Sequence, residues 1–348
     1  MSEIGLGGQR LRPKMEFHEP SNRIFYGPAS FAKRVILLYR SLQLRQVEVE
    51  DSLSGEHSTY IGEGETLDYV RRAFFANAKE VKATPLPIWL LPQRIKHLIS
   101  LNTKVIVEVN RMLAPLVPAG GLVTFPWIRQ RVSLNAGNHT EKRRNIEATF
   151  GRKVRKFDYR CQMTSDQKMV RKFYEDLYLP YLTARFESAC HARTLSELQT
   201  AVRLGFLLQV FAQDRWVSGV ICRLEKDEIC TFAFGHLPDN QYDLRRGALS
   251  AAYYFIFKWA EEHSVQKVDL LRSRANTSDG VYEHKRRWGA KPVIDSWPHT
   301  ALWIFLPKTE ISPRLKTQLI WKKDEFVEIQ RLSFGLKTGQ EGNRMMIP

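Results

Sequence analysis

DLRRGALSAAYYFIFKWAEEHSVQKVDLLRSRANTSDGVYEHKRRWGAK, residues Asp243–Lys291, holds five pieces in order: a basic turn, an apolar helix, a short strand, an acidic-glycine turn and a basic-aromatic knot. The turn Leu244-Arg245-Arg246-Gly247 follows a strand-like run, Ile229–Phe234, and opens a helix expected over Gly247–His263. The first N–H groups of a helix lack internal partners and lie at the positive end of its dipole, and glycine admits a ligand close to the backbone. Arg245, Arg246, Gly247 and Ala248 therefore read either as a phosphate cradle or as two solvated arginines at a helix start. The helix carries Leu249, Ala252, Tyr253, Phe255, Ile256, Trp259 and Ala260 around most of its circumference, as for a helix laid across a sheet. Lys267–Leu271 is then a short buried strand.

Asp279-Gly280 is a turn signal. Beyond it come Tyr282, Glu283, His284, Lys285, Arg286, Arg287, Trp288 and Gly289. Three consecutive cations beside an aromatic ring suit a polyanionic ligand, and the ring either stacks on a base or packs on the core.

Upstream, Thr194-Leu195-Ser196-Glu197 is a capping box and Gly205 a stop, predicting a helix over Leu195–Leu204. A second helix is expected over Ser165–Tyr178, ended by Pro180, with a turn-rich continuation Tyr181–Phe186. A third is expected over Thr140–Phe150, stopped by Gly151 and followed by the most basic stretch, Gly151–Lys156. That stretch reads as a solvated face or as a docking surface for RNA or phospholipid. Three strand candidates, Phe206–Phe211, Trp216–Arg223 and Ile229–Phe234, are joined by links short enough for hairpins. Helices, an antiparallel meander, a helix and a strand make an α+β order, and exclude the strand–helix alternation of a doubly wound dinucleotide fold.

The 348 residues carry a net charge of +16. This favours acidic partners, namely a nucleotide carrier, tRNA or an anionic membrane surface, without choosing among them. The four cysteines, Cys161, Cys190, Cys222 and Cys230, have no zinc-ligand spacing, and no metal is expected. Cys222 and Cys230 read as buried thiols on neighbouring strands, with a disulfide conceivable. No signal-peptide core or spanning apolar run stands out, so a cytoplasmic protein is expected, with room for peripheral membrane contact. The proline-bounded Thr84–Pro92 reads as a core-covering loop or an interfacial anchor. By segments, residues 1–28 read as a mobile arm, 29–137 as an N-terminal α/β region, 138–310 as the main domain, and 311–348 as a helical extension with a loose tail.

The order R-R-G-A … A-Y-Y-F … W-A-E … V-D-L … D-G-V-Y-E-H-K-R-R-W-G-A resembles the GNAT-type acyltransferase domain of FemAB-like and cellulose-biosynthesis-associated proteins, over roughly Arg143–Val293. The usual GNAT phosphate loop is Gln or Arg, two residues, Gly, any residue, then Gly or Ala. Here Leu244 and Leu249 stand at its outer positions. His284-Lys285-Arg286-Arg287-Trp288-Gly289 is similar to the Phe-Lys-x-x-Phe-Gly of FemX-type enzymes. The resemblance implies a GNAT-like, largely antiparallel mixed sheet flanked by helices, with residues 30–135 as a diverged first unit of a tandem pair. It also implies that Lys285 contacts an anionic ligand near the reacting centre.

In function, the resemblance implies an N-acyltransferase moving an acyl group from acyl-CoA, a co-substrate rather than a tightly bound cofactor, to an amine of a cell-envelope or polysaccharide-related acceptor, anionic or lipid-linked. The alternatives are an aminoacyl-tRNA-dependent FemX-like transferase, which the positive charge suits, and a non-catalytic scaffold that kept the fold. Acyl transfer to an amine calls for a base, and Glu283, His284 and, more weakly, His236 are the candidates, with Lys285 beside them. Tyr181, Arg185, Asp279 and Trp288 are candidates for the acceptor pocket. Other enzyme motifs, including the nucleophile elbow, the Walker loop and H-E-x-x-H, are missing.

Overall fold

Strand-forming runs from both halves of the chain pair into two mixed sheets in a computed structural model that describes residues 42–51, 55, 57–64, 66–74, 78–134, 145–186, 192–238, 241–295, 300–307 and 313–331. The first sheet has the order β3-β1-β2-β4-β13-β5: β1 Gln43–Asp51, β2 His57–Gly62, β3 Ala78–Pro87, β4 Lys104–Asn110, β5 Leu122–Thr124 and β13 Thr300–Phe305. The second has the order β12-β6-β11-β10-β9-β8-β7: β6 Ile128–Ser133, β7 Tyr159–Thr164, β8 Gly205–Ala212, β9 Arg215–Glu225, β10 Glu228–His236, β11 Lys267–Ser273 and β12 Lys291–Ile294. Most pairings are antiparallel. The parallel ones are β2–β4 and β10–β11, and the architecture is the expected α+β.

The two sheets repeat one local plan. Each has a run of antiparallel strands (β3-β1-β2 in the first, the meander β7-β8-β9-β10 in the second), then a parallel pair, then a strand supplied by the other half of the chain. In the first sheet β4 is flanked by β13, from residues 300–305. In the second β11 is flanked by β6, from residues 128–133. Segments 29–137 and 138–310 thus trade a strand across their sequence boundary.

The helices described are α1 Leu67–Phe74, α2 Leu91–Ser100, α3 Arg152–Lys156, α4 Gln167–Lys172, α5 Leu179–Phe186, α6 Leu195–Arg203, α7 Gln241–Arg246, α8 Ala248–Glu262, α9 Gly280–Arg287 and α10 Pro313–Lys316. The capping box predicted at Thr194 and Glu197 is present with both of its hydrogen bonds. Helix α8 crosses the second sheet. Its Ala248, Ala251, Ala252, Ile256 and Ala260 are buried against Leu208, Val210, Val220, Ile229 and Val268. Four small side chains on this face let helix and sheet approach closely. Helix α4, the turn Phe173–Tyr178 after it and helix α6 cover the other face through Val170, Phe173, Leu198 and Val202.

Four expectations change. Gly151 does not stop its helix; a π-turn, Glu147–Gly151, runs on into α3. The glycine stays helical at φ −60°, and its own Cβ position faces only the movable carboxylate end of Glu147. Pro180 does not end its helix either. A π-turn, Phe173–Tyr178, precedes it, and the wider turn accommodates a residue with no N–H to give. The expected helical extension after Pro313 is only α10. It is followed by a hairpin of β14 Leu319–Lys322 and β15 Glu325–Glu328, whose turn residues Lys323 and Asp324 have φ of 48° and 61°. Thr84–Pro87 is not a loop but the end of edge strand β3, where prolines interrupt an otherwise open ladder. The arm at 1–28 lies outside the described residues.

Candidate active site

The site begins where a parallel pair comes apart. β10 and β11 are paired only at Glu228↔Lys267, Ile229↔Val268 and Cys230↔Asp269. Beyond this point β10 runs to His236 against β9 alone, and β11 to Ser273 against β6 alone. Two irregularities drive the split. β10 shifts register at Phe232, and Leu271 of β11 takes a φ of 62°. Asp269 sits in the fork, 1% exposed, and holds it in shape. One carboxylate oxygen accepts the Leu271 N–H at 2.7 Å, and the other pairs with Arg129 at 3.0 Å and Arg131 at 3.2 Å. The corresponding pair of the first sheet, β2–β4, stays paired to Ile61↔Val107, at the end of β2. There Tyr60 donates to the buried Glu108 carboxylate, whose pKa burial pushes up to about 7.

The fork opens toward the start of α8, because α8 is the crossover that joins β10 to β11. Gly247 precedes α8 with a φ of 94°, a conformation that side chains resist. The helix therefore starts at Ala248, and Arg245 and Arg246 end the short helix α7 instead of lying in an open turn. Asp243 anchors α7: it is buried and paired with Arg215. Ser218 of β9 donates to the Ala248 carbonyl at 2.8 Å and pins the start of α8.

Beside this start lies a cleft of about 480 Å³ lined by Lys153, Phe157, Tyr242, Arg245 and Arg246. The Arg246 guanidinium stacks 3.5 Å from the Tyr242 ring centroid and 4.7 Å from that of Phe157. Among the described residues, none of Lys153, Arg245 and Arg246 has a carboxylate partner. Three cations on an aromatic floor, at the N-terminal end of a long helix, can hold phosphate groups. Lys153 belongs to the basic stretch that sequence reading left between solvated face and docking surface; Tyr242 and Phe157 carried no sequence signal.

The other candidates fall into three groups. Lys285 is 5% exposed and donates to the Arg272 carbonyl of β11 at 2.7 Å; burial lowers its pKa to about 7. Its amine thus braces one tine of the fork rather than facing the cleft. Glu283 is engaged by Arg286 and Arg287, whose hydrogen bonds hold its carboxyl below the ordinary range. Asp279 caps α9 by accepting the Tyr282 N–H at 2.8 Å. Trp288 is 1% exposed, stacked on Phe150 at 4.0 Å and on Phe257 at 5.4 Å, so the ring packs on the core. His284 meets the edge of Tyr253 at 5.2 Å, and Tyr253 lies six residues, about 9 Å, along α8 from Gly247.

Tyr181 and His236 come together at the far end of β10, ring centroids 6.4 Å apart. His236 is 2% exposed, and its Nε2 has no partner among the described residues. Burial lowers its pKa below the ordinary 6.5, which keeps the imidazole neutral near pH 7. Arg185 lies in α5, but its side chain is outside the described set. Cys222 and Cys230 are free buried thiols, as expected. Among the described residues no helix is long and apolar enough to cross a membrane, and no cluster of His, Cys, Asp or Glu suits a metal ion.

No protein-family model matches the chain, and no curated protein matches it. Solved structures similar to it include L-PGS from Bacillus licheniformis, at 12% identity and a TM-score of 0.39, covering 65% of this chain and 76% of that one. FemX aligns at 10% identity and a TM-score of 0.39, over 72% and 81%. A GCN5-related N-acetyltransferase from Kribbella flavida aligns at 15% identity and a TM-score of 0.29, over 64% and 76%.

Proposed function

We propose that the chain is a transferase that moves an acyl or aminoacyl group from a phosphate-bearing carrier to an amine. The observation that carries this is the fork between β10 and β11, open at the end where the cationic cleft meets the start of α8. A fork leaves backbone polar groups of β10 without a strand partner on that side, and such groups suit an acyl carbonyl and the charge that develops on its oxygen. Arg245, Arg246 and Lys153 hold the carrier's phosphates beside Gly247 and Ala248. The acyl group then points into the fork.

The carrier supplies an activated thioester or ester. The amine nitrogen of the acceptor forms a new C–N bond to the acyl carbon as the C–S or C–O bond to the carrier breaks. His236, neutral and with a free Nε2, takes the proton that the nitrogen loses and returns it to the leaving group. A base so placed contributes about 10²–10⁴ in rate. Tyr181 borders the same end of β10 and guides the acceptor. Lys285 acts through β11, as a positioning residue.

Acyl-CoA is the carrier favoured here, with an amine of an envelope or polysaccharide-related molecule as acceptor. Aminoacyl-tRNA is the second reading. It is favoured by the exposed cations Arg152, Arg155 and Lys156 that continue the cleft along α3. Calorimetry with acetyl-CoA and with charged tRNA separates them. Acetyl-CoA binding that Arg246→Glu abolishes supports the first, and salt-steep binding of tRNA alone supports the second. Absence of both would leave a non-catalytic scaffold.

A further inference from the structure

The face of the second sheet opposite α8 carries a second concentration of positive charge. Phe232, the residue at which β10 shifts register, is half-buried on that face among the side chains of α4 and α6. The Arg193 guanidinium lies 3.8 Å from its ring centroid and that of Arg223 5.6 Å. Arg193 is held from behind, its backbone N–H donating to Tyr178 Oη at 2.9 Å. Arg223 pairs with Glu225, and Arg272 with Asp295. Arg193 has no carboxylate within ion-pair distance among the described residues. Its nearest acidic influence, Glu197, is committed to the Thr194 cap, and Arg272 adds like charge. Ser273, next along β11 and 1% exposed, has a hydroxyl without a partner among the described residues.

A half-buried guanidinium over an aromatic ring, beside like charge and without a carboxylate, presents its remaining donors to an anion. The location gives that anion a role. The cationic cleft occupies the α8 side of the fork; Arg193 and Phe232 lie on the other face, from which an acceptor can reach the end of β10. We propose that Arg193, beside Arg223 and floored by Phe232, binds an anionic group, phosphate or carboxylate, of the acceptor. Naming the ligand an acceptor rests on the transferase reading; the anion site does not.

The test uses the full chain carrying Arg246→Glu, so that the cleft no longer binds phosphate. Inorganic phosphate and succinate are titrated calorimetrically with and without Arg193→Gln, and with Arg193→Lys. Loss of one charge-assisted contact corresponds to about a tenfold weaker Kd for at least one anion on Arg193→Gln, with Arg193→Lys keeping most of the affinity. Stronger phosphate binding assigns a phosphoryl group; stronger succinate binding assigns a carboxylate. Equal affinity with and without Arg193→Gln overturns the site. So does equal loss in both Arg193 variants together with a lowered unfolding midpoint, since that reports packing on Phe232. In the otherwise unaltered chain, Arg193→Gln leaves acetyl-CoA affinity unchanged. A chain that binds neither acetyl-CoA nor charged tRNA, yet shows Arg193-dependent anion binding, would sink the transferase reading alone.

Discussion

Lys285→Met removes the buried amine that braces β11 and keeps the stem's volume. In the unfolded chain the amine titrates near its ordinary 10.5, and in the fold burial brings it to about 7. Between these values the unfolded state binds more protons, so this group makes the native protein more stable as pH rises from 7 to 10.5. At about 1.36 kcal/mol per pH unit, holding the amine neutral costs the native state roughly 3 kcal/mol at pH 8 and almost nothing at pH 10.5. Methionine escapes that cost but leaves the Arg272 carbonyl without its donor, a loss of about 1–3 kcal/mol at either pH. The variant is therefore the more stable protein at pH 8, by about 1 kcal/mol, and the less stable at pH 10.5. Urea unfolding of both proteins at the two pH values measures the difference. A stability difference that stays constant across this range would show that the lysine is not titrating in a buried site, and would return it to the cleft as a ligand contact.

Three further outcomes are expected. Glu108 shows the opposite linkage: with its pKa raised from 4.5 to about 7, it destabilises the fold by about 3 kcal/mol as pH rises through that window, and Glu108→Gln flattens the difference between pH 5 and pH 8 in unfolding experiments. Gly247→Ala costs roughly 1–2 kcal/mol through its left-handed backbone alone, because the added methyl would meet Lys153 only at an ordinary 3.6 Å; a loss under 0.3 kcal/mol by urea titration would remove the strain argument. His236→Gln lowers kcat/KM about 10²–10⁴-fold and abolishes an acid limb that lies below pH 6.5 in the wild type; an unaltered pH–rate profile would exclude His236 as the base.

Local patterns were readable. The capping box at Thr194, the meander β8–β10 and the apolar girth of α8 each depend on residues within a few turns of one another, and each is present. What depends on distant partners was not. The fork needs Asp269 to meet Arg129 and Arg131, some 140 residues earlier, and nothing in Lys267–Leu271 marks its aspartate as more than a strand residue. The basic-aromatic knot misled for the same reason. Lys285 and Trp288 look like ligand contacts in a run of cations, yet helical spacing turns both inward while Arg286 and Arg287 face solvent. Proline at 180 and glycine at 151 are local stop signals that the adjoining π-turns override. The hairpin at Leu319–Glu328 was hidden because its turn, Lys323-Asp324, has the charged composition of an exposed helix.

The strand trade has a consequence for how the protein can be divided. β6 arrives from the first half to flank β11, so the outer tine of the fork is laid down before the segment that carries the cleft. A fragment starting at residue 138 would lack that flank and present β11 as a raw edge. A fragment ending at 137 would leave β4 equally bare, missing β13. Neither piece can be excised with its sheet intact, and a truncation meant to isolate the half that carries the cleft would dismantle the fork beside it.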